Sequence, residues 1–176
     1  MLKKLLATGA LAVLGATSAF AHVTFEVGEA HVGASYKAVL RVPHGCEGKP
    51  THTVRIQVPE GFIGVKPMPK AGWSLEKVRG DYERSYTLHG SEVKEGVKEI
   101  IWSGGNLADD EYDEFVFRGT LAESLPVGET LYVPVVQECT DGATERWIEI
   151  PAKGQDSHDL EAPAPGIMLL KQNGGH

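Results

Sequence analysis

The stretch Tyr36-Lys37-Ala38-Val39-Leu40-Arg41-Val42, closed by Pro43-His44-Gly45, decides the fold class. Tyr36, Ala38, Leu40 and Val42 fall on every second position, which is the period of a strand with one buried face. The pattern recurs. Val54, Ile56 and Val58 alternate with Thr53, Arg55 and Gln57, and Phe115 and Phe117 sit beside Glu114 and Arg118. Leu131, Val133 and Val135 repeat it, and Trp147 and Glu149 flank Ile148 and Ile150. Turn formers separate these runs: Pro59-Glu60-Gly61, Ala71-Gly72, Gly80-Asp81, Ser103-Gly104-Gly105-Asn106, Pro126-Val127-Gly128 and Asp141-Gly142. A spacing of roughly ten to twenty residues between turns suits hairpins and Greek keys. No stretch sustains a helical period, and Ala108 to Glu114 has room for one turn at most. The expectation is an all-β antiparallel sandwich of about seven to ten strands.

Composition bounds the rest. At 176 residues the chain has length for one core, and 21 Gly with 10 Pro favour turns over long helices. Apolar residues at 41% exclude general disorder, and a net charge of −7 argues against nucleic acid or an anionic membrane as the main partner.

Residues 1–21 read as an address. Lys3 and Lys4 precede the apolar run Leu5 to Phe20, and Ala19-Phe20-Ala21 supplies the small-x-small pattern read by signal peptidase. The run is shorter than the roughly 20 residues of a membrane span. Cleavage after Ala21 places His22 at the N-terminus of an exported chain with no further membrane span. It removes two of the 17 basic residues and none of the 24 acids, taking the charge from −7 to −9. In an oxidising compartment Cys46 and Cys139 are expected to pair as a structural disulfide, and no C-x-x-C argues for redox chemistry. The sandwich is expected over 22–152. From 153 to 176 a polar, Pro-rich tail follows, with an edge strand at Ile167 to Leu170 and fraying from Gln172 to His176.

An N-terminal His22 offers two nitrogens from one residue, the α-amine and imidazole Nδ1, which close a chelate ring on one metal. Copper(II) favours nitrogen donors in a tetragonal plane and tops the divalent affinity order. Glu26 and Glu29 are near enough in sequence to add an oxygen. Other schemes fit less well. Cys139, His158 and Met168 are too widely spaced for a blue-copper loop, and Met68 and Met168 are too few for a copper(I) thioether site. His31, His44, His52, His89 and His158 show no zinc spacing and read as surface or turn residues. No G-x-S-x-G, phosphate loop or H-E-x-x-H is present, and Asp109 to Glu114 reads as a solvated acidic loop. Trp73, Trp102 and Trp147 read as core aromatics unless one lies beside the metal.

A series of ordered motifs gives the chain a family resemblance. They are His22-Val23-Thr24, Glu29, Arg41-Val42-Pro43-His44-Gly45-Cys46, Pro50-Thr51 and Val58-Pro59-Glu60-Gly61. Lys66-Pro67-Met68-Pro69-Lys70-Ala71-Gly72-Trp73, Trp102-Ser103-Gly104-Gly105, Tyr112-Asp113-Glu114-Phe115, Val136-Gln137-Glu138-Cys139 and Trp147-Ile148-Glu149 continue the series. Together they resemble the YcnI-like periplasmic copper-binding proteins, long known only as a domain of unknown function.

The resemblance implies a cupredoxin-like or immunoglobulin-like sandwich binding Cu(II) through a single-histidine brace. It points to His22 and Glu29 as ligands, with a tryptophan near the metal, Trp147 in preference to Trp102. The expectation is a periplasmic, non-enzymatic copper(II) binder in copper homeostasis or delivery. Its partners would be the copper ion and another periplasmic copper chaperone or copper transporter. Two alternatives are a copper-dependent oxidase of the lytic polysaccharide type, which needs a second histidine in the brace, and a metal-free structural sandwich.

Overall fold

The computed structural model describes residues 22–172; the signal peptide assigned to 1–21 and the chain beyond 172 lie outside the described residues. Twelve strands run in order: β1 (Thr24–Phe25), β2 (Glu29–His31), β3 (Ser35–Val42), β4 (Thr51–Gln57), β5 (Phe62–Pro67) and β6 (Ser74–Leu88). Then come β7 (Ser91–Leu107), β8 (Asp113–Leu121), β9 (Thr130–Tyr132), β10 (Val135–Cys139), β11 (Thr144–Trp147) and β12 (Gly166–Leu170). They build a four-stranded sheet β1-β3-β8-β5, a five-stranded sheet β11-β10-β4-β7-β6 and a three-stranded sheet β2-β12-β9. Among the described residues no helix is long and apolar enough to cross a membrane.

The alternation that defined β3 is kept: Tyr36, Ala38, Leu40 and Val42 are all buried. They share one core with Val54 and Ile56 of β4, Ile100 and Trp102 of β7 and Phe115 and Phe117 of β8. The rings of Trp102 and Phe115 meet at 5.5 Å, one from each large sheet, so the sheets pack face to face. The all-β antiparallel expectation holds, with one exception: β12 runs parallel to β2.

Several local expectations are corrected. The strand count exceeds the seven to ten expected, because pairs as short as Thr24–Phe25 still form ladders at the sheet margins. Gly80-Asp81 does not turn but continues β6, opposite Gly96 and Glu95 of β7. Ser103 to Asn106 stays within β7. A Cβ at Gly105 would lie 2.0 Å from the Trp73 ring, so this glycine serves the close approach of an indole. Leu131 to Val135 is not one strand: Pro134 cannot donate to a ladder, and the chain passes there from β9 in one sheet to β10 in another. Ala108 to Glu111, by contrast, forms the single turn expected, closed by the Glu111 N–H on the Ala108 carbonyl. Ile148 and Ile150 are exposed, because β11 ends at Trp147 and that indole takes the buried position.

The segment after 152 does not hang from the sandwich. Ala164, Ile167 and Leu169 are buried, and β12 is the middle strand of its sheet, not an edge. This fold-back places residues 163–168 across the start of β1.

Candidate metal site at the end of the sandwich

β1 and β3 are antiparallel, with Thr24 opposite Arg41 and Phe25 opposite Leu40. Continued by two residues, that register sets His22 across from Pro43, next to His44. His22 is half-buried, and its ring lies 5.8 Å from the ring of Trp147 in an edge arrangement. His44 approaches the same indole at 6.4 Å, also edge-on. One buried tryptophan at the end of β11 therefore gathers two histidines that are 22 positions apart in sequence. Trp102 lies elsewhere, with its Nε1–H donating to the Met68 carbonyl.

The loop carrying His44 is tied down at several points. Cys46 and Cys139 form a disulfide with a Cα–Cα distance of 6.0 Å, joining the loop to the end of β10. The pairing read from the compartment is thus present. Closing 93 residues of chain stabilises the fold by roughly 4 kcal/mol in the chain-entropy model. Cys46 and Lys49 exchange both backbone hydrogen bonds around Glu47-Gly48, whose φ values of 48° and 82° make a tight two-residue turn. The Lys49 ammonium meets the Asp141 carboxylate at 2.8 Å, on the turn after β10. Their hydrogen bond and mutual charge hold the Lys49 pKa up and the Asp141 pKa down.

Behind the two rings lies a buried polar network centred on Gln137, which is fully buried in β10. Its Nε2 donates to the His44 carbonyl and to Thr51 Oγ1, both at 2.6 Å. Its Oε1 accepts from Trp147 Nε1 at 3.3 Å. One amide thus fixes the His44 backbone and the orientation of the indole. The motif Val136-Gln137-Glu138-Cys139 contained this residue, but an isolated Gln in a strand carries no sequence signal for such a role. His44 was likewise read as a turn residue. It does lie on a bend, and its nearness to Trp147 follows from the register of β1 on β3.

Acidic groups flank the loop. Burial first, then the Glu47 charge, pushes the Glu145 carboxyl upward; His44 pulls it down and Glu161 adds to the push. On the other side, His22 lines a cleft of about 390 Å³ with Phe25, Tyr132, His158 and Met168. Glu29 opens β2, is exposed and pairs by backbone with Met168. Its neighbours Gly28 and Met168 line the His22 cleft, whereas Glu29 itself is not among the lining residues. Among the remaining histidines, His31 Nδ1 meets the Lys171 carbonyl at 2.6 Å and His89 occupies the β6–β7 turn at φ 50°. His52 Nδ1 meets Thr53 Oγ1 at 2.8 Å. Among the described residues, no group of three or more His, Cys, Asp or Glu side chains is placed to hold a metal.

The sandwich architecture recurs in a solved structure. A protein from Nocardia farcinica described as having an immunoglobulin-like fold is 23% identical, with a TM-score of 0.62, over 85% of this chain and 99% of that one. A cohesin module from a Clostridium perfringens family 33 glycoside hydrolase matches at 14% identity and a TM-score of 0.42, over 86% and 97%. Among curated proteins, none matches the chain. The family model for the domain of unknown function DUF1775 matches residues 22–169, opening on His22 and closing within β12. In keeping with the YcnI-like resemblance of its motifs, the chain belongs to the DUF1775 family.

Proposed function

We propose that this chain is an exported copper(II)-binding protein that holds its ion through the N-terminal amine and imidazole of His22, for copper homeostasis or delivery. The observation that carries the reading is the seating of His22 edge-on against buried Trp147, beside a cleft and at the first residue of the family match. The donor chemistry fits. Cleavage after Ala21 converts an amide nitrogen into an amine, and amine with imidazole gives a chelating nitrogen pair that suits Cu(II), whereas Cu(I) prefers soft sulfur ligands. Glu29 is the proposed oxygen donor, following the bend at Glu26-Val27. Trp147 would shield the ion from one side without ligating it, because its indole nitrogen has no lone pair to offer and its N–H donates to Gln137. The proposed partner is another periplasmic copper chaperone or a copper transporter.

The test is direct. Protein recovered from the periplasm should begin at His22 by mass and carry one Cu(II) per chain after copper loading. A retained Met1, or a start at Phe20, removes the amine and contradicts the reading. A second reading, an oxidase of the lytic polysaccharide type, draws support from His44 beside His22. Ascorbate and copper with chitin or cellulose would release oxidised sugars if it were correct, and the copper-carrier reading predicts none.

A further inference from the structure

We infer that the end of β3 away from His22 carries a second site, which binds a small phosphate monoester with a hydroxylated body, a sugar phosphate by class. The site is independent of the copper reading. On the outer face of the four-stranded sheet, Lys37 of β3 and Lys66 of β5 both lie directly opposite Arg118 of β8. Like charges set opposite one another across a sheet are destabilising. Here three stand in a row, all exposed, in a chain with 24 acids to 17 bases. Arg41, further along β3, shows how such a charge is met elsewhere on this sheet: Glu26 lies at 3.1 Å and Glu114 at 3.4 Å. Among the described residues no carboxylate forms an ion pair with Lys37, Lys66 or Arg118.

A β-bulge creates this row. Ile63 lies opposite Thr120 and Lys66 opposite Arg118, so β5 takes three steps to two of β8. An unbroken register would set Val65, which is buried, opposite Arg118; the extra residue brings Lys66 there instead. Arg118 Nη2 donates to Ser35 Oγ at 3.0 Å, which orients the guanidinium and leaves its other N–H groups for a ligand. Beside this pair a cavity of about 180 Å³ is lined by Lys66, Arg118 and His89 with the hydroxyl residues Ser35 and Thr120. A wider cleft of about 640 Å³ adjoins it, sharing Ser35, His89 and Thr120 and adding Ser85, Thr87 and Glu123. Neither shares a lining residue with the His22 cleft. The two compartments differ in chemistry. A planar guanidinium beside an ammonium matches the oxygens of a phosphate group. In the wider cleft, hydroxyls that donate or accept and a carboxylate that accepts suit the hydroxyl groups of a sugar.

The experiment titrates ¹⁵N-labelled protein with a hexose monophosphate (glucose phosphorylated on its primary hydroxyl), with inorganic phosphate and with glucose, followed by amide NMR spectra. The hexose monophosphate should saturate one site per chain. It should move the amides of Ser35, Lys66, Arg118 and Thr120 together with those of Ser85 and Thr87. Inorganic phosphate should bind more weakly and move the first group alone, and glucose should bind more weakly still. Arg118→Gln should weaken binding of the hexose monophosphate at least ~10-fold. Its unfolding midpoint without ligand should not fall, because the substitution removes a repelling charge. Lys66→Gln should weaken binding in the same direction. Arg79→Gln, at an exposed cation that pairs with Glu95, should leave it unchanged. Failure of the hexose monophosphate to saturate, shifts centred elsewhere, or undiminished binding by Arg118→Gln overturns the inference. So does equal affinity for the hexose monophosphate and for either phosphate or glucose alone.

Discussion

Replacing Gln137 by Leu tests whether the polar network behind the site is structural support or incidental. The shapes are similar, so the change removes hydrogen bonds with little change in volume. The buried Trp147 Nε1–H and the half-buried His44 carbonyl each lose a partner. An orphaned buried group costs about 1–3 kcal/mol, the indole donor toward the upper end and the partly solvated carbonyl toward the lower. Thr51 Oγ1 keeps the Cys139 sulfur at 3.4 Å, so its loss is smaller. Gln137→Leu should therefore destabilise the protein by about 3 kcal/mol. Urea unfolding followed by tryptophan fluorescence measures it: the midpoint should fall with an unchanged slope, the mark of altered stability with the same surface exposed. Copper affinity should fall too, since the indole and the His44 backbone lose their common anchor. A loss under about 0.5 kcal/mol, the range of an ordinary surface substitution, would refute the reasoning.

Removing the disulfide as Cys46→Ala with Cys139→Ala should cost roughly 4 kcal/mol by the loop-closure argument, read by the same denaturation. Copper titration of that variant, at a temperature where it remains folded, should show weaker binding than the parent. Glu60 anchors a separate network: it accepts from Lys98 Nζ and the Tyr86 hydroxyl, both at 2.8 Å, and from the Glu83 N–H at 3.1 Å. Burial pushes its carboxyl upward, but these hydrogen bonds and the Lys98 charge outweigh burial and hold it below the usual carboxylate range. A depressed folded pKa gives stability that is full above the unfolded carboxylate value and is lost as pH falls through the folded one. Glu60→Gln should thus cost about 1 kcal/mol at neutral pH, a difference that shrinks in denaturation curves taken under progressively more acid conditions. Glu29→Gln should weaken Cu(II) binding while leaving the nitrogen hyperfine pattern intact; unchanged affinity by competitive titration would remove Glu29 from the ligand set.

Much of the sandwich was legible because period-two alternation reports directly on burial. Tyr36 to Val42, Val54 to Val58 and Phe115 to Phe117 needed no other information. The failures share a cause: glycine and proline carry more than one meaning. Gly105 reads as a turn former but makes room for Trp73, and Gly80 continues a strand. Pro134 ends one strand where the hydrophobic pattern ran on. The polar, Pro-rich composition suggested a tail with an edge strand, whereas Ile167 and Leu169 are buried as part of the core and their strand is the middle one of its sheet. At the site, His22 was legible from the cleavage pattern and Trp147 from the family motifs. His44 and Gln137 were not, since neither residue type nor spacing separates them from ordinary turn and strand residues. What brings them to Trp147 is long-range pairing, β1 on β3 and β10 on β11, which no local window contains.

The most direct test of the central claim compares two proteins that differ only at the N-terminus: one beginning at His22, the other with a single additional residue ahead of it. The extension turns the His22 amine into an amide and leaves every side chain in place. The account predicts matching unfolding curves without metal, and tight one-to-one Cu(II) binding only for the chain that begins at His22. That binding should weaken in acid, because protons compete with the metal for its ligands. Equally tight binding by the extended protein would place the ligands elsewhere and contradict the account.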